Sequence, residues 1–286
     1  MEIIAHRGSR EGSFEHTVAA YRKAVLDGAD ALECDVRLTA DGHLVCLHDR
    51  RVDFVSTSRG VVSTMQLADL TRVQFGARRD WRLLDRYRPP AAPPAAPSPD
   101  AADHTVMTLR QLLELATTAQ RPVGLAIETK HPTRYGGAVE EKLVTLLAEF
   151  GLLGGPREIP PGAPGAQLDA RPRVRVMSFA ASSLRRMRRL APDLDLVLLM
   201  GRVPVHLRDG SLPEGVRAAG VDVRVIRRHP EYVTKAHLQG NAVYVWTVNS
   251  FADADGCLAA GVDALITDRP LSMRAHVYGR RPAGSA

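Results

Sequence analysis

The residues best able to do chemistry in this chain sit at the ends of short apolar runs. His6 and Arg7 follow Ile3–Ala5, Glu33 and Asp35 lie two apart within Ala31–Leu38, and Glu128 and Lys130, again two apart, close the run that begins at Val123. Side chains alternate along a strand, so residues two apart share a face. Three carboxylates converging at strand ends repel one another. A hard divalent cation relieves that repulsion, and an all-oxygen donor set suits Mg²⁺ or Ca²⁺, with Mn²⁺ acceptable, over zinc. His6 and His48 can supply a base and an acid near neutral pH, while Arg7 and Lys130 can hold an anion beside the cation. Cation, anion clamp and acid–base pair together describe phosphoester chemistry.

These groups must be positioned by a scaffold that gathers strand ends. Further runs at Leu44–Leu47, Val174–Met177, Leu194–Leu199, Val221–Val225, Val243–Val248 and Ala264–Ile266 read as strands. The stretches Thr17–Asp27, Leu109–Ala119, Ala138–Phe150, Ser182–Leu190, Pro213–Ala219, Glu231–His237 and Ala252–Ala260 read as helices. Strand-then-helix alternation over 286 residues predicts a (β/α)8 TIM-type barrel, in which catalytic groups stand at the C-terminal ends of the strands. An open doubly wound sheet is the alternative, but no glycine-rich dinucleotide loop follows the first strand. Asp41-Gly42 reads as a two-residue hairpin turn, which pairs Ala40 with His43 and sets His48 opposite Asp35, with β-carbons about 5 Å apart.

The same reading predicts one domain over residues 1–276, a short insertion after the second strand over 54–106, and a tail over 277–286. Within the insertion, residues 89–104 are rich in Pro and Ala and read as an unpacked loop, as does the Gly/Pro-rich stretch 151–172. Net charge is +6, and lysine occurs only at Lys23, Lys130, Lys142 and Lys235 against 34 arginines. The basic residues are scattered apart from Arg185–Arg189, read as a solvated helix face, and no nucleic-acid motif accompanies them. Three distant cysteines, Cys34, Cys46 and Cys257, form neither a disulfide framework nor a zinc pattern. Cys34 is expected to face the helices and Cys46 to pack beneath His48. His43, His104, His131, His206, His229, His237 and His276 are expected on the surface or in loops. No apolar run approaches the roughly 18 residues of a membrane span, and the first residues do not read as a secretory signal, so a cytoplasmic protein is expected.

The chain resembles the glycerophosphodiester phosphodiesterase (glycerophosphoryl diester phosphodiesterase) family. The resemblance rests on His6-Arg7-Gly8, Glu33-Cys34-Asp35-Val36, Asp41-Gly42 leading to Leu47-His48-Asp49, Ile127-Glu128-Thr129-Lys130, Trp246-Thr247-Val248-Asn249, and Gly261 through Pro270. It implies a TIM-type barrel and hydrolysis of a glycerophosphodiester to sn-glycerol 3-phosphate and an alcohol through a cyclic phosphate. It implies His6 and His48 as general acid and base, and Glu33, Asp35 and Glu128 as ligands of one divalent cation. Arg7 and Lys130 become phosphate contacts, and Trp246 lines the substrate pocket. The implied partner is a small molecule, with neither nucleic acid nor stable membrane insertion. Two positions depart from the pattern: His16 stands where the family usually has Asn, and Ala180 where it commonly has Asp. A phospholipase D-like lipid phosphodiesterase would need an apolar access groove that the proline-rich insertion does not offer. A non-catalytic relative would be expected to lack one of the central groups, and all are present.

Overall fold

A computed structural model describes residues 1–56, 58–75, 105–154 and 172–279. The chain opens with β1 (Glu2–Ala5) and α1 (Val18–Leu26), then β2 (Ala31–Leu38) and its hairpin partner β3 (Leu44–Cys46). After the insertion, which contains the short α2 (Leu67–Leu70), come α3 (Leu109–Thr117), β4 (Gly124–Thr129), α4 (Ala138–Glu149), β5 (Val174–Ser178) and α5 (Ala181–Leu190). The last third holds β6 (Asp195–Met200), β7 (Ala218–Asp222), α6 (Val223–Arg228), α7 (Glu231–Leu238), β8 (Ala242–Trp246), α8 (Phe251–Ala260), β9 (Ala264–Thr267) and α9 (Pro270–Tyr278). Residues 89–104, most of the 151–172 stretch and residues 280–286 lie outside the described residues.

Eight parallel strands close on themselves in the order β1, β2, β4, β5, β6, β7, β8, β9, with β1 paired to both β2 and β9. This is the expected (β/α)8 barrel. Alternation divides each strand between two cores. Ile3, Ala5, Leu32, Cys34, Val176 and Leu196 face the helices, while Ile4, Ala31, Ala126, Met177, Val197 and Tyr244 fill the interior. Side chains seal the middle of the barrel, so polar groups meet only at its two ends. Helix starts are fixed locally. Thr17 caps α1 by accepting from Ala20 N–H, and Thr108 and Gln111 form a reciprocal capping box on α3. Among the described residues no helix is long and apolar enough to cross a membrane.

Several expectations need correction. The seventh strand is Ala218–Asp222, not Val221–Val225, and no helix covers Pro213–Ala219. Ala218-Ala219-Gly220 carries no β-branched side chain, and a β-carbon on Gly220 would lie 2.5 Å from Leu199 Cδ2, so a larger residue would force that buried side chain to move. Val223 and Val225 are helical instead, because the Asp222 side chain caps α6 at Arg224 N–H. Part of the 54–106 insertion is packed: Val62, Leu70, Val73, Phe75 and Val106 join Val45, Leu47 and Val52 in a small core of their own. Nor is Arg185–Arg189 wholly solvated, since Arg186 reaches the fully buried Glu140 at 3.1 Å. His131 sits in the loop after β4, as expected, and pairs with the same Glu140, whereas His276 lies in α9, where it bonds Asp255 and stacks on Phe251. His104 lies outside the described residues.

The hairpin register also differs by one. Val36 pairs with Cys46 and Leu38 with Leu44, which puts Leu47 opposite Asp35. The turn has three residues, Ala40-Asp41-Gly42, closed by the Thr39–His43 hydrogen bond, with Gly42 at φ +82°. A three-residue hairpin ending in a left-handed glycine competes directly with the two-residue Asp-Gly turn. Here Asp41 settles it by accepting from Thr39 Oγ1 and from Leu67 N–H. Cys46 accordingly joins Cys34 in the helix-facing core rather than lying beneath His48.

Candidate active site

β1 ends at Ala5, and the chain turns sharply at Arg7 (φ 58°) and Gly8 (φ 88°). A β-carbon on Gly8 would lie 2.7 Å from the Ala20 carbonyl carbon, so α1 presses directly on this turn. Arg7 N–H donates to Glu33 Oε2 at 2.9 Å, and Arg7 O accepts from His16 N–H at 3.0 Å. Because β1 stops so early, its pairing with β2 reaches only Leu32, and the upper edge of β2 is taken by β3. That exchange lets the loops after β1 and β3 share one rim.

Glu33 and Asp35 on β2 and Glu128 on β4 point into the top of the barrel, with Asp35 and Glu128 as register partners. One carboxylate oxygen of each lies within 4.8 Å of the others, and all three side chains are buried. Asp35 is the best compensated. Lys130 Nζ lies 3.0 Å from its Oδ1, while Arg7 Nε and His16 Nε2 each approach Oδ2 at 3.0 Å. Burial alone would raise the Asp35 carboxyl, but Arg7 foremost, with His16 and Lys130, holds it well below the usual carboxylate range. Glu33 receives one backbone N–H, and burial together with the Asp35 charge pushes it far up. Glu128 contacts Lys130 Nζ at 2.8 Å, yet burial and Asp35 push it up to about 8. A cluster with more buried carboxylate than nearby positive charge is the setting into which a divalent cation fits, and the donors are all oxygen.

The two histidines are built alike. His6 Nδ1 lies 2.7 Å from Asp268 Oδ1, and His48 Nδ1 lies 2.8 Å from Asp49 Oδ1. A carboxylate on Nδ1 fixes the tautomer, leaving Nε2 as the reactive nitrogen. Among the described residues no hydrogen bond engages Nε2 of either ring. Asp268 is itself held by Asn249 Nδ2 at 2.7 Å and Arg10 at 3.2 Å. Burial opposes its ionisation, but His6, Arg10 and Asn249 keep its carboxyl far below the ordinary range. Burial, with Arg7 nearby, lowers the affinity of His6 for a proton. His48 is placed by Arg37, whose guanidinium donates to the His48 carbonyl at 3.0 and 2.6 Å.

His6, Arg7, Glu33, Asp35, Glu128 and Lys130 therefore form one network, with His48 tied to its rim. Trp246 stands apart from it: its Nε1 donates to Gly220 O at 3.1 Å, and its ring meets Phe179 edge-on with centroids 5.5 Å apart. His16 is built into the site, bridging Asp35 and the Tyr21 hydroxyl. Glu15 braces Arg7 at 3.0 Å. Sequence reasoning gave no role to Asp49, Asp268, Asn249 or Arg37. Arg37 has the parity of Glu33 and Asp35, and Asp268 directly follows the last strand, so alternation and strand-end position were the available signals.

Residues 6–272 match the glycerophosphoryl diester phosphodiesterase family. A protein of Mycobacterium tuberculosis (strain ATCC 25618 / H37Rv) named "Probable glycerophosphodiester phosphodiesterase 1" is 41% identical over 285 residues, covering 99% of this chain and 94% of its own. The glycerophosphodiester phosphodiesterase of Bacillus subtilis (strain 168) is 30% identical over 271 residues, covering 93% of this chain and 83% of its own. Among solved structures, a glycerophosphodiester phosphodiesterase from Agrobacterium tumefaciens superposes with TM-score 0.70 at 21% identity, covering 96% of this chain and 99% of that one. A phosphodiesterase from Oleispira antarctica, solved in complex with the product sn-glycerol-3-phosphate, superposes with TM-score 0.72 at 19% identity and 97% coverage of both chains. The chain thus belongs to the glycerophosphoryl diester phosphodiesterase family and is a phosphoric diester hydrolase of that type.

Proposed function

We propose that this hydrolase depends on a divalent cation held by Glu33, Asp35 and Glu128, and converts glycerophosphodiesters to sn-glycerol 3-phosphate and an alcohol by proton transfer at His6 and His48. The observation that carries the proposal is the pair of imidazoles, each with Nδ1 fixed by its own carboxylate, beside a carboxylate cluster with too little positive charge. The bound product of the Oleispira antarctica relative supports sn-glycerol 3-phosphate as the phosphate-bearing product.

His6 is the base of the first half-reaction. Burial favours its neutral form, and Asp268 stabilises the imidazolium once a proton arrives. Its Nε2 takes the proton of the glycerol 2-hydroxyl, whose oxygen then attacks phosphorus. His48 gives its Nε2 proton to the departing alkoxide, so the alcohol leaves as the phosphorus–oxygen bond breaks and a cyclic phosphate remains. In the second half, His48 takes a proton from water, the resulting hydroxide opens the ring, and His6 returns its proton to the 2-oxygen. Arg7 and Lys130, held in place by Glu15, Asp35 and Glu128, present positive charge to the phosphate oxygens. The cation, when bound, would lower the hydroxyl's pKa and neutralise charge developing on phosphorus.

Phosphorus-31 NMR of glycerophosphoglycerol turnover tests this. Treatment with EDTA should abolish hydrolysis, and Mg²⁺, Ca²⁺ or Mn²⁺ should restore it with sn-glycerol 3-phosphate as the product. Undiminished turnover in EDTA would remove the cation from the scheme.

A further inference from the structure

Beside the carboxylate cluster lies a cleft of about 390 Å³ between the insertion and the loop that follows β4. Four cations line it, Arg37, Arg50, Lys130 and Arg134, and among the described residues no carboxylate does. The Tyr135 hydroxyl closes its wall by donating to Ser63 O at 2.5 Å. Lys130 belongs both to this cleft and to the carboxylate cluster, so the cleft adjoins the cluster. Two of its cations are already used: Lys130 by Asp35 and Glu128, and Arg37 by the His48 carbonyl. Arg50 and Arg134 are exposed and have no carboxylate partner among the described residues.

The two sides of the barrel mouth therefore differ in kind. On the β8 side, Trp246 and Phe179 offer an aromatic wall, and the charge beside it, Asp222 with Arg224, is already paired. On the β2–β4 side the wall is cationic. A glycerophosphodiester has a constant half, glycerol, and a variable half, the alcohol. His48, the group proposed to protonate the departing alkoxide, is gripped by Arg37, which lines the cationic cleft. In that scheme the alcohol departs on the cleft side.

We infer that the cleft receives the alcohol half of the substrate and selects alcohols that carry a second phosphate group, with Arg50 and Arg134 as its specificity-determining contacts. The inference rests on the phosphodiesterase scheme above and adds the substrate class to it. Cationic alcohols such as choline are the disfavoured case, because they would place like charge against four basic side chains.

The test compares kcat/KM, with Mg²⁺ supplied, for three diesters: glycerophosphoglycerol, the same compound phosphorylated on its distal glycerol, and glycerophosphocholine. The phosphorylated diester should exceed the neutral one by about tenfold, the scale of one charge-assisted contact, and the choline diester should be poorest. The advantage should shrink as salt rises, because both arginines are exposed. In the double variant Arg50→Gln/Arg134→Gln, the ratio of phosphorylated to neutral diester should fall towards one. Equal kcat/KM for phosphorylated and neutral diesters in the unaltered enzyme, or a ratio unmoved in the double variant, would overturn the subsite. Absence of turnover with all three diesters and with Mg²⁺, Ca²⁺ or Mn²⁺ would instead overturn the phosphodiesterase scheme beneath it.

Discussion

The barrel carries buried charge at both ends and treats it in opposite ways. At the N-terminal end Glu2 and Arg175 form a bidentate pair at 2.9 and 2.7 Å, and the guanidinium lies 5.3 Å from the Tyr244 ring centroid. One cation meets one anion, and an aromatic face covers them. At the C-terminal end Glu33, Asp35 and Glu128 share Arg7 and Lys130, and Arg7 must also serve Glu15. Arg175 is buried while Glu2 stays a quarter exposed, and the upper carboxylates are all buried. What differs is whether the protein supplies its own countercharge. The lower layer is complete in itself, whereas the upper one leaves charge for a ligand to complete. The layer between them, Ile4, Met177, Val197 and their neighbours, keeps the two electrostatic problems independent.

That independence can be broken or sharpened by mutation at each end. The largest effect should come from His6→Ala or His48→Ala, each lowering kcat by at least about 10²-fold, the usual loss for a general acid or base. The two losses should not multiply, because the groups act as a unit, and thermal unfolding should stay nearly unchanged. Near-normal rates in either variant would end the acid–base assignment. At the other end, Glu2→Gln should show the reverse pattern. It leaves the buried Arg175 without its countercharge, and because Glu2 is a quarter exposed calorimetry should record a loss of about 1–2 kcal/mol, roughly 2–8 °C in Tm, while kcat holds. A large fall in kcat together with Tm would mean that the two ends are coupled after all.

Glu128→Gln comes next. It removes one charge from the upper cluster while keeping shape, and calorimetric titration should show cation affinity weakened by about tenfold or more with the barrel still folded. Affinity equal to that of the unaltered protein would leave Glu128 as merely the partner of Lys130. The smallest effect is a dependence on pH. Glu128 titrates near 8 in the fold against about 4.5 for an ordinary glutamate. A raised folded value makes its contribution full below about pH 4.5 and lost as pH rises through about 8. A cation removes that loss by favouring the ionised form, so the gain in Tm on adding Mg²⁺ should be larger at pH 8 than at pH 5. His6 and His16, kept neutral by burial, act in the opposite sense below about pH 6.5, so increments rather than absolute Tm values are compared. Equal increments at both pH values would contradict a charge-starved cluster.

Much of this arrangement was legible from pattern alone. The limits of β2, Ala31–Leu38, were read correctly because its apolar run is dense and its in–out alternation is regular. Alternation also placed Glu33 and Asp35 on one face, where the structure has them. β7 was misread because Ala218-Ala219-Gly220 has the composition of a turn, and only contact with Leu199 explains the glycine. His48 was expected opposite Asp35, where the structure has Leu47. Two hairpin geometries compete at Asp41-Gly42, and the winner is chosen by a contact to Leu67, twenty-six residues away in sequence. The orienting groups escaped for a similar reason: Asp268 stands 262 residues from His6, and no local spacing encodes that pairing.

The turn at Arg7-Gly8 limits how this site could be moved to another barrel. Grafting His6, the three carboxylates and Lys130 onto a foreign scaffold would reproduce the reactive groups but not their angles. Arg7 must hold a left-handed backbone, and Gly8 must admit the Ala20 backbone of α1 to within a distance no other residue allows. Helix α1 in turn keeps its position through Thr17 and through Tyr21, whose hydroxyl lies 2.8 Å from His16 Nδ1 and 3.1 Å from Glu33 O. The smallest portable unit is therefore the whole of β1, α1 and β2 with its loops, in which the helix serves as a fixture for the turn. A designer who copied only the polar side chains would import the chemistry without the jig that aligns it.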